Sequence, residues 1–161
     1  YQKDQPTLIK AMKYLPDTYH LCLVGDGERR AEFEALIKEY RLEQRVHLSG
    51  LRSDVPEILA ASDYIVMCSH FEGLSLSSLE GMASGKPFLA DDVDGLREIV
   101  KGNGVLFGYK DAEGFADAVL KLDNDTAYRE RIVKQCQAKA IRYDISVMTE
   151  KYLDVYKKLL G

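Results

Sequence analysis

The stretch CSHFEGLSLSSLEGMASGKPFLADDVDG, residues 68–95, decides the fold that we predict for this chain. It begins at the end of an apolar segment, DYIVMCS (63–69), which is typical of a strand covered on both faces. A loop and a helix over residues 74–84 follow, and Gly85 is placed to end that helix. The segment PFLAD (87–91) is the next strand. The order strand, helix, strand predicts a parallel pair with a helix packed across it.

The same alternation extends in both directions along the chain. We predict further strands over residues 20–25, 45–50 and 104–108, helices over 28–40 and 54–62, and helical structure from Asp111 onward. This pattern is typical of the α/β class, a Rossmann-like parallel sheet with helices on both faces. Ligands bind such sheets at the carboxyl ends of the strands, which is where the quoted stretch begins. The helix 74–84 is expected to turn four side chains inward: Leu76, Leu79, Met82 and Ala83.

Length and charge narrow the class of protein. The 161 residues suit one domain, and 22 basic against 26 acidic residues give no general attraction to nucleic acid. No apolar run approaches the roughly 20 residues that span a bilayer. The three cysteines, Cys22, Cys68 and Cys136, are expected to be buried, reduced thiols of a cytosolic protein.

Three short motifs invite functions that the residues do not support. The segment VGDGERR has Arg30 where a dinucleotide-binding pattern needs its third glycine, which disfavours an NAD-dependent domain. The segment SGKP has Pro87 where a P-loop needs serine or threonine. Asp92 and Asp94 resemble a metal-binding carboxylate pair, but a solvated turn is the better interpretation, so we expect no metal.

Glu72 and Glu80 remain as candidate ligand-binding residues. Glu72 follows a buried strand, and Ser75 can cap the next helix, whose free N–H groups favour an anion. Glu80 lies little more than one turn into that helix. An ionised carboxylate only accepts hydrogen bonds, so each glutamate suits a pair of hydroxyls. Hydroxyls on both sides of a phosphate site are the chemistry of a nucleotide-sugar.

The segment EGLSLSSLEGMASGKPFLADDVDGLREIV (72–100) resembles the E-x7-E region of the family 4 retaining glycosyltransferases, which have the GT-B fold. Four further blocks, at 3–12, 21–30, 46–69 and 104–122, are similar to that family in the same order. The resemblance implies that residues 1–161 are the C-terminal, nucleotide-sugar-binding domain of such an enzyme, working without metal or other cofactor.

The resemblance also implies a role for each matching residue. Glu72 would contact sugar hydroxyls next to the reaction centre and is the expected catalytic residue. Glu80 would bind the ribose, Lys3 the diphosphate, and Leu51 and Arg52 would line the base. The full set of expected donor-binding residues is Lys3, Gly25, Gly27, Leu51, Arg52, Glu72, Gly73, Leu74, Ser75, Leu76 and Glu80.

Departures from the family leave donor identity open. Ser75 and Asp94 stand where the family usually or often has glycine, and Gly81 where it often has alanine. Family members also carry an N-terminal acceptor domain, and an arginine shortly before the residue that matches Lys3. The resemblance therefore implies an excised donor-binding half, inactive alone.

The resemblance implies partners and a location as well. The expected donor is a UDP-sugar, with GDP- or ADP-sugars as alternatives, and a hexose-type sugar would pass to a glycan or lipid-linked acceptor in polysaccharide or capsule synthesis. We expect a cytoplasmic protein, peripheral to the inner face of the membrane through the other domain. A nucleotide-sugar 2-epimerase half and a non-catalytic nucleotide-sensing domain are the alternatives.

Overall fold

The computed structural model describes residues 2–160. These residues form strands and helices in the alternation that the sequence predicts. In chain order the elements are α1 (Gln5–Ala11), β1 (Leu21–Val24), α2 (Arg30–Glu39), β2 (Val46–Gly50), α3 (Val55–Ala61), β3 (Ile65–Met67), α4 (Leu76–Ala83), β4 (Phe88–Asp91), α5 (Leu96–Val100), β5 (Val105–Phe107), α6 (Ala112–Asn124), α7 (Thr126–Ile141) and α8 (Ile145–Leu160).

The strands pair in parallel, as predicted, but they form two sheets. One sheet is β1–β2 and the other has the order β3–β4–β5. Within residues 2–160 no ladder joins β1 to β3. The N-terminal segment lies at the ends of both strands: Lys3 forms an antiparallel bridge with Ser69 just after β3, and Arg29, after β1, donates to the Lys3 carbonyl at 3.3 Å. The carboxyl ends of β1 and β3 therefore meet at this segment.

The core is deepest around β4, in which every residue is buried. Phe88, Leu89 and Ala90 are fully inaccessible, and α4 packs on this strand, on β3 and on α7. Cys68 and Cys136 are buried free thiols, as expected. Cys22 is exposed, so that expectation was wrong. Its side chain alternates with those of the more buried Leu21 and Leu23 and lies on the open side of β1.

Helix α4 (Leu76–Ala83) is shorter than the predicted helix over 74–84, but its capping serine and the glycine that follows it are those predicted. Ser75 caps it, accepting a hydrogen bond from the Ser78 amide at 3.3 Å, and Gly85 follows it with φ +80°. Its inward face was predicted only in part, because Leu76 and Ala83 are exposed while Leu79 is half-buried and Met82 is buried. The buried residues of α4 are Ser78, Gly81 and Met82. Gly81 lies so close to Phe88 that an added Cβ would be 2.8 Å from its ring, and this close approach determines which side of α4 faces β4.

The last helix, α8, has no buried residue and exposes an apolar side that includes Ile145, Tyr152 and Leu159. Among the described residues, no helix is both long enough and apolar enough to cross a membrane.

Candidate functional site

Glu72 lies in a network of donors just beyond β3. Its side chain is only 7% exposed. One carboxylate oxygen, Oε1, forms an ion pair with Lys3 Nζ and accepts a hydrogen bond from Ser69 Oγ at 2.9 Å. The other oxygen, Oε2, accepts from Gln2 Nε2 at 3.2 Å. The structure therefore brings together two of the predicted donor-binding residues, which are 69 positions apart in sequence.

Backbone pairing explains how Lys3 reaches this place. The Asp4 amide donates to the Cys68 carbonyl at 3.0 Å, and the His70 amide donates to the Gln2 carbonyl at 2.8 Å. Residues 2–4 thus run antiparallel to residues 68–70. This register fixes the start of the Lys3 side chain beside the Glu72 loop.

Gly95 supports the backbone of Glu72 from the loop after β4. The Glu72 amide donates to the Asp94 carbonyl at 3.4 Å. Gly95 has φ +82°, and a Cβ there would lie 1.9 Å from the Glu72 carbonyl oxygen. Sequence reasoning did not identify this residue, although the Asp94–Gly95 pair is a turn signal that was available.

Asp91, the last residue of β4, is a second residue that sequence reasoning missed. It is fully buried, and its two carboxylate oxygens accept from the Ser69 amide at 3.1 and 3.0 Å. The Cys68 thiol also donates to it, at 3.7 Å. Burial raises the pKa of Asp91 to about 6. An aspartate at the end of the apolar segment PFLAD was the available signal.

The loop before α4 and the first turn of that helix are open to solvent. Gly73, Leu74 and Leu76 are exposed, whereas the capping residue Ser75 is buried. The free backbone N–H groups at such a helix start are donors for an anion. Glu80 is exposed on the same helix and forms no ion pair or side-chain hydrogen bond with another described residue.

A second group of predicted residues lies at the ends of β1 and β2. The Gly25 amide donates to the Gly50 carbonyl at 2.8 Å, which brings the two loops together. Leu51 is 83% exposed, and Arg52 forms an ion pair with Asp54, with Nε 2.7 Å from Oδ1. Gly27 is also exposed. Arg29 links this group to the first, since it contacts the Lys3 carbonyl.

Asp92 and Asp94, the pair considered as metal ligands, both contact Arg97. Its Nε lies 2.5 Å from Asp92 Oδ1, and its Nη1 lies 2.9 Å from Asp94 Oδ1. Among residues 2–160 no group of three or more histidine, cysteine, aspartate or glutamate side chains is arranged to hold a metal ion.

Aromatic side chains stand at the same edge of the structure. Tyr109, which follows β5, has its hydroxyl 2.9 Å from His70 Nδ1, and the two rings meet edge to face. Phe71, beside Glu72, is 58% exposed. These residues were not predicted as part of the site.

Comparison with known protein sequences gives matches along nearly the whole chain. The family profile described as "Glycosyl transferases group 1" matches residues 1–139. The chain is 32% identical over 154 residues to the lipopolysaccharide core biosynthesis glycosyltransferase LpsD of Rhizobium meliloti (strain 1021), covering 94% of this chain and 45% of that protein. It is 30% identical over 165 residues to the Escherichia coli UDP-Gal:alpha-D-GlcNAc-diphosphoundecaprenol alpha-1,3-galactosyltransferase, covering 96% of this chain and 42% of that protein. The chain thus spans about half the length of these relatives.

The fold is shared with solved structures. Crystal structures of Anabaena Alr3699/HepE superimpose with a TM-score of 0.91 for the complex with UDP and 0.90 for the complex with UDP-glucose. Sequence identity is 28% and 29%, and each alignment covers 98% of this chain and 46% of the other.

Proposed function

The chain belongs to the group 1 glycosyl transferases, and we propose that it is the nucleotide-sugar-binding C-terminal domain of a longer enzyme of that family. The observation that carries the proposal is the pairing of Glu72 with Lys3 beside the start of α4. It puts a carboxylate for hydroxyl groups, a cation and free helix N–H groups at one edge of the sheet. The predictions of a glycosyltransferase and of a Rossmann-like GT-B fold are confirmed, while membership of family 4 and its retaining stereochemistry belong to the proposal.

The donor would lie along the carboxyl ends of the strands. Lys3, the first turn of α4 and the backbone amides of four residues would hold the diphosphate and part of the sugar: Gly73, Leu74, Ser75 and Leu76. Glu80 would accept from the ribose diol. Leu51 and Arg52 would line the base, with the Gly25–Gly27 turn beside them. Leu51, Glu80 and the loop 73–74 are exposed, so they are available to a ligand.

In this arrangement Lys3 could pair either with the Glu72 carboxylate or with the diphosphate of the donor. It is paired with Glu72 in the unliganded chain, and its side chain is 39% exposed. A diphosphate carries more negative charge than one carboxylate, so Lys3 would turn toward the donor and leave Glu72 free to accept from the sugar. Contacts that Glu72 makes next to the reacting carbon would count most in the transition state.

The relatives support a UDP-hexose as donor. The Anabaena protein has been crystallised with UDP and with UDP-glucose, and the Escherichia coli relative is named for UDP-Gal. That relative's name also contains a diphosphoundecaprenol acceptor, which supports a lipid-linked or glycan acceptor for the full-length enzyme, and with it a peripheral membrane location. Because the acceptor would bind elsewhere in the enzyme, this chain alone would transfer no sugar.

Metal-independent binding is part of the proposal. Lys3 and the α4 N–H groups supply the positive charge that a metal would otherwise supply, and Arg97 already engages Asp92 and Asp94. Calorimetric titration of the chain with UDP, UDP-glucose, GDP and ADP, each with and without EDTA, tests both the choice of nucleotide and the independence of metal. We expect UDP and UDP-glucose each to bind with the same affinity whether or not EDTA is present. Binding that disappears with the chelator would make Asp92 and Asp94 metal ligands, and failure of every nucleotide to bind would contradict the proposed function.

A further inference from the structure

Ser69 connects two carboxylates that lie on different sides of it. Its backbone amide donates to both oxygens of Asp91, at 3.1 and 3.0 Å, while its hydroxyl donates to Glu72 Oε1 at 2.9 Å. Ser69 and Asp91 are both fully buried. Because Asp91 lies on β4, the most buried strand, it gives Ser69 a rigid point of attachment.

We infer that Asp91 is a positioning residue, which acts through Ser69 to hold the Glu72 carboxylate where it receives the sugar of the donor. The inference rests on the proposed function. It explains a feature that the fold alone does not explain. An ionised carboxylate in a protein core is unfavourable unless it is paired, and no ion pair to Asp91 forms within residues 2–160. Besides the Cys68 thiol, its oxygens accept from the Ser69 amide, and Ser69 also contacts Glu72.

The protonation state of Asp91 should govern this connection. The titratable groups that act on it are the Cys68 thiol at the end of β3, whose hydrogen bond favours the charged form of Asp91, and the carboxylate of Asp4 before α1, which disfavours it. The Lys3–Glu72 ion pair lies beyond Ser69, and the Asp92–Arg97 pair follows along the chain. With a pKa of about 6, Asp91 is ionised at pH 7.5 and protonated at pH 5. A protonated carboxyl keeps fewer acceptors for the Ser69 amide, so the Glu72 loop is held less firmly at low pH.

The test uses UDP-glucose and UDP as probes of the whole chain, titrated by calorimetry between pH 5 and pH 8. UDP-glucose has no phosphate group that titrates in this range, so a change in its affinity reports on the protein. For the wild-type chain we expect affinity for UDP-glucose to increase as the pH rises through about 6. Asp91→Asn should remove that increase and bind UDP-glucose roughly tenfold more weakly at pH 7.5, with UDP affinity at that pH nearly unchanged.

Ser69→Ala provides a second variant, because it removes the hydroxyl that contacts Glu72 and keeps the amide that contacts Asp91. We expect it to weaken UDP-glucose selectively, too. Ser62→Ala is the matched control: Ser62 is a half-buried serine between α3 and β3, and its hydroxyl donates to the Ile58 carbonyl at 2.8 Å, away from both carboxylates. It should leave both affinities unchanged. Circular dichroism establishes that each variant is folded.

The outcomes separate this inference from the proposed function. If folded Asp91→Asn and Ser69→Ala keep the wild-type affinities and pH profile, Asp91 is not a positioning residue, although the proposed function stands. If the variants lose UDP and UDP-glucose affinity equally, their effect is general damage to the site, and the inference is again wrong. If the wild-type chain binds neither ligand, the proposed function fails and this inference fails with it.

Discussion

At the scale of single residues, Glu72 is held by donors from two distant parts of the chain. Gln2 and Lys3 come from the N-terminal segment, and Ser69 comes from the end of β3. Gly95 restrains its backbone from the loop after β4. A carboxylate held in this way has little freedom to reorient, which lowers the entropic cost of arranging it against a ligand.

The raised pKa of Asp91 leads to a prediction about the stability of the fold at the scale of a single residue. Its pKa in the folded chain is about 6, against 3.8 ordinarily, so the folded state binds the proton more tightly than the unfolded state does. The stability that this proton contributes is fully present below pH 3.8 and is lost as the pH rises through 6, a loss of about 3 kcal/mol by pH 7. Asp91→Asn cannot ionise, so its stability relative to wild type should increase by up to that amount between pH 4 and pH 7.

Urea denaturation of both proteins at several pH values measures this difference. Asp63→Asn, at an exposed aspartate, serves as the control for replacing an aspartate outside the core. A difference for Asp91→Asn that does not change with pH would show that burial does not raise the pKa of Asp91. If both experiments give the expected results, Asp91 serves the site at the expense of stability.

The conformation of Gly27 leads to a second prediction at the scale of single residues. It has no positive φ, and a Cβ placed on it would meet no atom within 4 Å, so the unliganded fold does not need glycine there. We expect Gly27→Ala to raise the free energy of unfolding by about 0.4–1 kcal/mol, because the unfolded chain becomes less flexible. If the donor approaches this turn closely, the same change should weaken UDP binding severalfold. Gly25→Ala is the contrast, since Gly25 has φ +124° and its replacement should lower stability. Unchanged UDP affinity in Gly27→Ala would remove Gly27 from the site.

At the scale of elements, α4 and β4 fit each other through one small and one large residue. A Cβ on Gly81 would lie 2.8 Å from the Phe88 ring and 2.9 Å from Ile65 Cγ2. Gly81→Ala should gain helix propensity of about 1 kcal/mol but lose about 1–3 kcal/mol to overpacking, for a net loss of stability. Phe88→Leu should relieve the overpacking, so the double variant should lose less than the two single variants together.

Urea unfolding of the wild type and the three variants measures that coupling. Additive losses would contradict the close packing of α4 on β4. The result also bears on the site, because this packing fixes the height of α4 above the sheet and hence the position of its first turn.

The strands and most helices were predictable because their signals are local. An apolar segment, a capping serine and a helix-ending glycine each lie within a few residues of what they specify, as in 68–95. The inward face of α4 was predicted only in part, because Gly81 rather than a leucine meets Phe88. The roles of Asp91 and Gly95 depend on contacts with Ser69 and Glu72, more than 20 positions earlier, and no local pattern encodes those contacts.

At the scale of the whole molecule, the residues proposed to bind the donor lie at the carboxyl ends of the strands. The ends of β1 and β2 contribute Gly25, Leu51 and Arg52, while the ends of β3 and β4 contribute the Glu72 loop and its supports. Lys3 and its segment stand between the two sheets. On the proposed function, a donor with a base at one end and a sugar at the other would span these strand ends. Mutations near the base should then affect the binding of UDP and UDP-glucose alike, whereas mutations near the sugar should affect only UDP-glucose.

The most direct test of this account is calorimetric titration of Glu72→Ala and Glu80→Ala with UDP and with UDP-glucose. Glu80→Ala should weaken both ligands by about 1.5–3 kcal/mol, since both carry the ribose that it is proposed to bind. Glu72→Ala should weaken only UDP-glucose, and UDP should bind at least as tightly as to wild type, because Lys3 loses its partner carboxylate. Equal weakening of UDP by both variants, or no effect of either, would contradict the account.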